Sequence, residues 1–208
     1  DPLSYCEYNG SVYFSNMTSF GWIPSDARTS RNVGVSAPEI QPALSVDSGS
    51  LLPGTYGVVI TLANDRGEEG AASKFASIDL PSGGGIRLTG LPSYLGWDVY
   101  VYITSADGDV LRFATSFPAV FPTYVVADDA QGGDCETQFL APLPPGHTVR
   151  WHNGRLFTAR PGEINFSEAM RPHMYNPAHN VIPMSGDISF MESVGDGLYV
   201  GDSRGVWF

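Results

Sequence analysis

Apolar side chains in this chain recur at every second residue, and glycine, proline, asparagine or aspartate interrupts each run. Tyr56, Val58, Ile60 and Leu62 share one face of a segment from about 55 to 64. Val99, Val101 and Ile103 alternate with Tyr100 and Tyr102 between 98 and 104, and Val12 and Phe14 follow Asn9-Gly10. A period of two places neighbouring side chains on opposite faces of a strand, and β-branched and aromatic residues fit that pleated surface. Helical periodicity is nearly absent. Its one candidate, Ser167 to Arg171, meets Pro172 and is too short to hold as more than a turn. With 24 glycines and 16 prolines in 208 residues, many turns and few long helices are expected. The expected class is all-β.

The flanks resemble each other. Residues 5–15, 149–159 and 192–201 each read as an apolar strand, an Asn-Gly or Asp-Gly turn, and an alternating strand. Gly154 and Gly197 stand 43 residues apart. Gly10 and Gly154 stand 144 apart, and removing the 101 residues of 40–140 leaves the same 43. That period falls in the range of a β-propeller blade, roughly 40–50 residues. The spacing predicts a propeller-like repeat, 1–39 with 141–208, interrupted by an inserted domain at 40–140.

That insert carries seven strand candidates: 41–47, 54–63, 71–80, 84–91, 97–105, 109–116 and 122–127. Turn signals separate them at Leu52-Pro53-Gly54, Asp65-Arg66-Gly67, Ser82 to Gly85, Ala106-Asp107-Gly108 and Phe117-Pro118. Asp107-Gly108 between alternating runs predicts a two-residue type I′ hairpin, whose central residues both need positive φ. Seven short strands in about 100 residues suit an immunoglobulin-like or fibronectin-like sandwich. No Cys-Trp-Cys pattern is present, which favours the fibronectin-like variant.

Charge narrows the partners. Eleven cations against 22 acidic residues give a net charge of −11, and Lys74 is the sole lysine. Such a chain repels phosphate backbones, so no specific nucleic-acid binding is expected. The composition also excludes a hydrophobic membrane span, a coiled coil and a disulfide-stapled miniprotein. Cys6 and Cys135 are 129 residues apart; two buried free thiols are the preferred reading over one long-range disulfide. Asp1 is not Met, and Gly205-Val206-Trp207-Phe208 reads as the middle of a strand, so a piece of a longer polypeptide is expected.

Residues able to carry chemistry form no catalytic signature. His147, His152, His173 and His179 lack metal-ligand spacing, and no serine sits in a nucleophile elbow. Gly83-Gly84-Gly85 lacks the Lys-Ser/Thr and the helix of a phosphate loop. Asp128, Asp129, Asp134 and Glu136, around Gly132 and Gly133, offer oxygens to calcium, but their spacing departs from the twelve-residue calcium loop. Glu163, Glu168, Asp187, Glu192, Asp196 and Asp202 are available as glycosidase carboxylates. Trp22, Trp97 and Trp151 are candidates for a sugar platform or for core. No catalytic, cofactor-binding or metal residue is assigned, and no enzymatic activity or cofactor is expected.

Two stretches carry a resemblance. Leu52 to Thr61, with Asp65-Arg66-Gly67-Glu68-Glu69-Gly70, resembles the fibronectin-like insert domains of tailed-bacteriophage virion proteins. Leu143-Pro144-Pro145-Gly146, Trp151 to Phe157, Ile164 to Glu168 and His173 to Pro177 resemble propeller-type blades of phage tail structural proteins. The resemblance implies a non-enzymatic virion component of the tail, tail tip or nozzle, contacting other copies and neighbouring tail proteins. The low lysine count and net negative charge are compatible with a shell that must not grip outgoing DNA. The competing expectation is a secreted or surface adhesion module whose sandwich binds a glycan or protein.

Overall fold

A computed structural model describes residues 2–130 and 132–208. The protein is all-β, built from several small antiparallel sheets. Its contacts divide it into two compact units, Asp1–Gly34 with Ala141–Phe208 (the flanking unit) and Val35–Leu140 (the central unit).

The flanking unit contains three hairpin-built sheets. The first runs β1 (Ser4–Tyr8), β2 (Ser11–Ser15), β3 (Phe20–Ile23) and β4 (Arg31–Asn32) in spatial order. A small pair, β12 (Ala141–Pro142) with β16 (Met174–Tyr175), lies outside the three. The second sheet runs β13 (Thr148–His152), β14 (Arg155–Arg160), β15 (Glu163–Phe166) and β17 (Val181–Pro183). The third has three strands, β18 (Ile188–Val194), β19 (Gly197–Asp202) and β20 (Gly205–Trp207).

Local chemistry explains the first hairpins. Asn9 and Gly10 have φ of 51° and 73°, and Asn153 and Gly154 have 42° and 79°. Two successive left-handed residues make the type I′ turn that matches strand twist, and asparagine and glycine tolerate it best. The third hairpin differs from the expected one. Val194 pairs with Gly197, so the turn is Gly195-Asp196 and Gly197 already belongs to β19. Only Gly195 takes positive φ, as in a type II′ turn with glycine first. Structurally equivalent turn positions, Gly154 and Asp196, are therefore 42 residues apart rather than 43.

Two cores join the three sheets in succession. Tyr13, Phe20, Trp22, Val149 and Leu156 pack between the first and second. Ala159, Ile164, Ile188, Met191 and Val200 pack between the second and third. The middle sheet is covered on both faces because its alternation serves both cores, with Leu156 on one side and Ala159 and Ile164 on the other.

The central unit has two sheets. One is β10 (Arg112–Pro118), β9 (Asp98–Ile103), β6 (Gly54–Ala63) and β7 (Ala76–Leu80) in spatial order. The other is β11 (Thr123–Val126), β8 (Gly84–Thr89) and β5 (Ala43–Leu51). Tyr56, Val58, Ile60, Leu62, Val99, Val101 and Ile103 from the first meet Leu51, Ile86, Leu88 and Val126 from the second. Strand 71–80 of the sequence reading shortens to 76–80, and Phe117 and Pro118 lie within β10 rather than in a turn. Asp107-Gly108 does not close a two-residue hairpin. Ile103 pairs with Arg112 across an eight-residue connection, within which Gly108 N–H bonds the Ser105 carbonyl at 3.0 Å and only Asp107 has positive φ.

Candidate assembly surfaces

Most of the chemistry-bearing side chains are held by separate local partners, and the others face solvent. His147 Nε2 lies 2.8 Å from the Ile188 carbonyl, and His152 Nδ1 lies 2.9 Å from Ser193 Oγ. Arg150 donates to Glu192 at 3.1 Å and to Ser4 Oγ at 3.1 Å. These bonds stitch β13 to β18 and β1. His179 is exposed, and the His173 carbonyl accepts from Leu143 N–H.

Carboxylates are divided in the same way. Glu163 faces Arg160 and Asn165, Glu168 faces Arg155 and Asn180, and Asp187 and Asp196 point to solvent. In the acidic loop, Asp128 accepts from Ser50 Oγ at 2.5 Å while Asp134 pairs with Arg112 at 3.5 Å; Gln131 lies outside the described residues. Among the described residues, no three His, Cys, Asp or Glu side chains gather as a metal site. Gly84 and Gly85 lie against the carbonyls of Asp47 and Ser48, where side chains would collide with the irregular part of β5. That packing is what the triple glycine permits.

The tryptophans separate too. Trp22 is buried and stacks on Tyr13, and Trp151 stacks on Tyr8 with ring centroids 3.4 Å apart, both in the first core. Trp97 leans on the central core and backs Tyr94, an exposed ring 5.0 Å away. Leu95 beside them is 93% exposed, and Val120 and Phe121 are exposed on a neighbouring loop tied to this one by Tyr94 N–H to Ala119 O.

One polar network had no forecast in the sequence. On the outer face of the four-stranded central sheet, Glu69 accepts from Thr61 Oγ1 at 2.7 Å, Tyr102 OH at 2.8 Å and Thr137 Oγ1 at 3.4 Å. Cys135 lies 3.8 Å from Thr137 Oγ1. Burial pushes the Tyr102 hydroxyl well above its ordinary pKa and raises that of the Cys135 thiol, so both stay protonated at neutral pH and neither is an activated nucleophile. The network fixes the segment after β11 to the sheet. Both cysteines are free thiols, Cys135 buried and Cys6 partly buried, with burial pushing Cys6 up to about 11.

A nearby cavity of about 310 Å³ is lined by Ser105, Gly108, Asp109, Val110, Arg112, Asp129 and Ala130. The third flanking sheet has a more distinctive surface. Phe190, Val194, Tyr199, Val206 and Phe208 are all exposed there, and cross-strand register puts Phe190 opposite Gly201. The rings of Phe190 and Phe208 occupy the space that side chains at Gly201 and Gly197 would fill.

No protein-family model matches the sequence, and no curated protein matches it significantly. No helix among the described residues is long and apolar enough to cross a membrane.

Proposed function

We propose that this chain is a non-enzymatic structural component of a bacteriophage tail, acting through assembly surfaces. In this reading the flanking unit is part of a propeller-like body, and the central unit is a fibronectin-like sandwich inserted into it. The observation that carries the reading is the succession of three hairpin sheets joined face to face by two cores. Propeller blades are such sheets in radial repetition.

Interlocked pairing supports the sandwich. β5 pairs with β8 in one sheet while their successors β6 and β9 pair in the other. Immunoglobulin-type sandwiches interlock their second with fifth and third with sixth strands. Here the same arrangement is displaced by one strand. The dispersal of histidines and carboxylates among local partners supports a role without reaction chemistry.

Immunogold labelling of purified tailed virions with antibody to this chain tests the proposal. Gold at the tail is expected; absence of the chain from the particles overturns it. A second reading, an adhesion module, is favoured by the exposed Tyr94 ring backed by Trp97. A glycan array separates the two, since binding lost in Tyr94→Ala supports adhesion.

A further inference from the structure

At one end of the central unit, two neighbouring turns push apolar side chains outward. The first lies between β8 and β9. Trp97 N–H donates to the Tyr94 carbonyl at 3.4 Å, and Gly96 has a φ of 77°. Residues 94–97 therefore form a turn whose third position favours glycine and whose second holds Leu95 at the apex. Leu95 is 93% exposed. The second turn closes β10, where Phe121 N–H reaches the Pro118 carbonyl at 3.3 Å and Val120 and Phe121 are exposed. Two bonds tie the turns together, Tyr94 N–H to the Ala119 carbonyl at 2.7 Å and Ala119 N–H to the Trp97 carbonyl at 2.8 Å. Leu91 and Trp97 root the pair in the central core, and Trp97 stacks on Tyr94.

We infer that these two tips insert together into the surface of an electrically neutral lipid bilayer, with the Tyr94 and Trp97 rings at headgroup level. Three observations select lipid. Hydrocarbon accepts backbone only where its polar groups are already paired. In 118–122, the N–H groups of Ala119, Val120 and Phe121 all donate within the tips, and Pro118 and Pro122 have none. A partner recognised by hydrogen bonds finds no backbone donor there. Secondly, residues 90–97 and 118–122 contain no charged side chain, in a chain of net charge −11. Thirdly, the apolar groups stand on turn apexes rather than in a groove. A rigid protein would need a pit cut to the shape of Leu95, whereas a fluid bilayer takes up any protrusion. Tyrosine and tryptophan beside aliphatic residues also match the amphipathic chemistry of a membrane interface. Charge then chooses the headgroup. An acidic chain, with exposed Asp98 directly behind the first tip, is repelled by anionic lipid, so a phosphatidylcholine-type surface is the partner.

The inference goes beyond the virion reading and does not rest on it. Flotation of the 208-residue chain with phosphatidylcholine vesicles reads binding, from about 0.1 mM lipid, where a single acyl anchor half-binds, to about 5 mM. Phosphatidylcholine brominated on its acyl chains reads insertion by quenching tryptophan emission. The chain is expected to float, with quenching that disappears in Trp97→Phe. Replacing part of the lipid with phosphatidylglycerol weakens binding, and salt restores it. Leu95→Asp lowers vesicle affinity at least about tenfold and leaves the melting temperature unchanged, because the side chain stands in solvent. Leu52→Asp alters an exposed leucine beside the opposite end of β6 and leaves the affinity unchanged. A chain that never floats overturns the inference and leaves the tips to a protein with a matching pit. So does binding indifferent to Leu95→Asp, binding lost equally in Leu52→Asp, or quenching that persists in Trp97→Phe. Virion labelling is independent of these outcomes, so failure of either reading is recognisable by itself.

Discussion

Asp202 shows how one side chain can hold a hairpin. Its carboxylate is fully screened from solvent, accepts from the N–H groups of Arg204 (2.8 Å) and Gly205 (3.1 Å), and faces the Arg204 guanidinium at 3.5 Å. The Arg204 N–H bond, foremost, holds its pKa below the ordinary carboxylate value, against the opposing effect of burial. A depressed pKa means stability present above the unfolded-state value of about 3.9 and lost as pH falls through the folded one. Exchange at Gly205 is therefore expected to accelerate below about pH 4, and Asp202→Asn to remove that acid dependence, as NMR titration would show. At Cys6, burial predicts the opposite direction. Its thiol remains protonated at neutral pH, and alkylation by iodoacetamide should stay slow until the solution approaches pH 11. Rapid labelling of native protein at pH 8 would contradict this. Glu69 is a third residue-scale test. Removing its carboxylate in Glu69→Ala strands the Thr61 and Tyr102 hydroxyls, which urea unfolding should register as about 1–3 kcal/mol lost.

At the scale of elements, legibility followed the locality of the forces. β6 was readable to the residue, 54–63, because its alternation and both flanking turns lie within its own sequence. Asn9-Gly10 and Asn153-Gly154 were equally plain, since the left-handed pair is a property of those residues themselves. Asp107-Gly108 was misleading because the same dipeptide also serves inside a longer connection, and only pairing of Ile103 with Arg112 decides between them. The shift from Asp196-Gly197 to Gly195-Asp196 has a similar cause: three residues offered two turns, and cross-strand register chose one. The Glu69 network was invisible because it joins residues 61, 69, 102, 135 and 137, which no local pattern connects. Packing at this scale also gives a mutation test. Leu156 is fully buried in the core between the first two flanking sheets, so Leu156→Ala should cost about 2–5 kcal/mol in denaturant unfolding.

On the scale of the whole molecule, the flanking unit is assembled from two segments separated by the 106 residues of Val35–Leu140. The cores of the central unit draw only on residues within that span. Expressed alone, 35–140 should unfold cooperatively with dispersed amide resonances; a chain without a cooperative transition would show that its cores are insufficient. The discontinuity has a consequence for synthesis. β1 to β3 leave the ribosome bearing Tyr13, Phe20 and Trp22, whose covering residues Val149 and Leu156 lie more than a hundred positions downstream. At roughly 5–20 residues per second, that apolar face waits several seconds or more for its cover. During the delay it is a natural target for a chaperone, and a slowed ribosome should send more of this chain to aggregation.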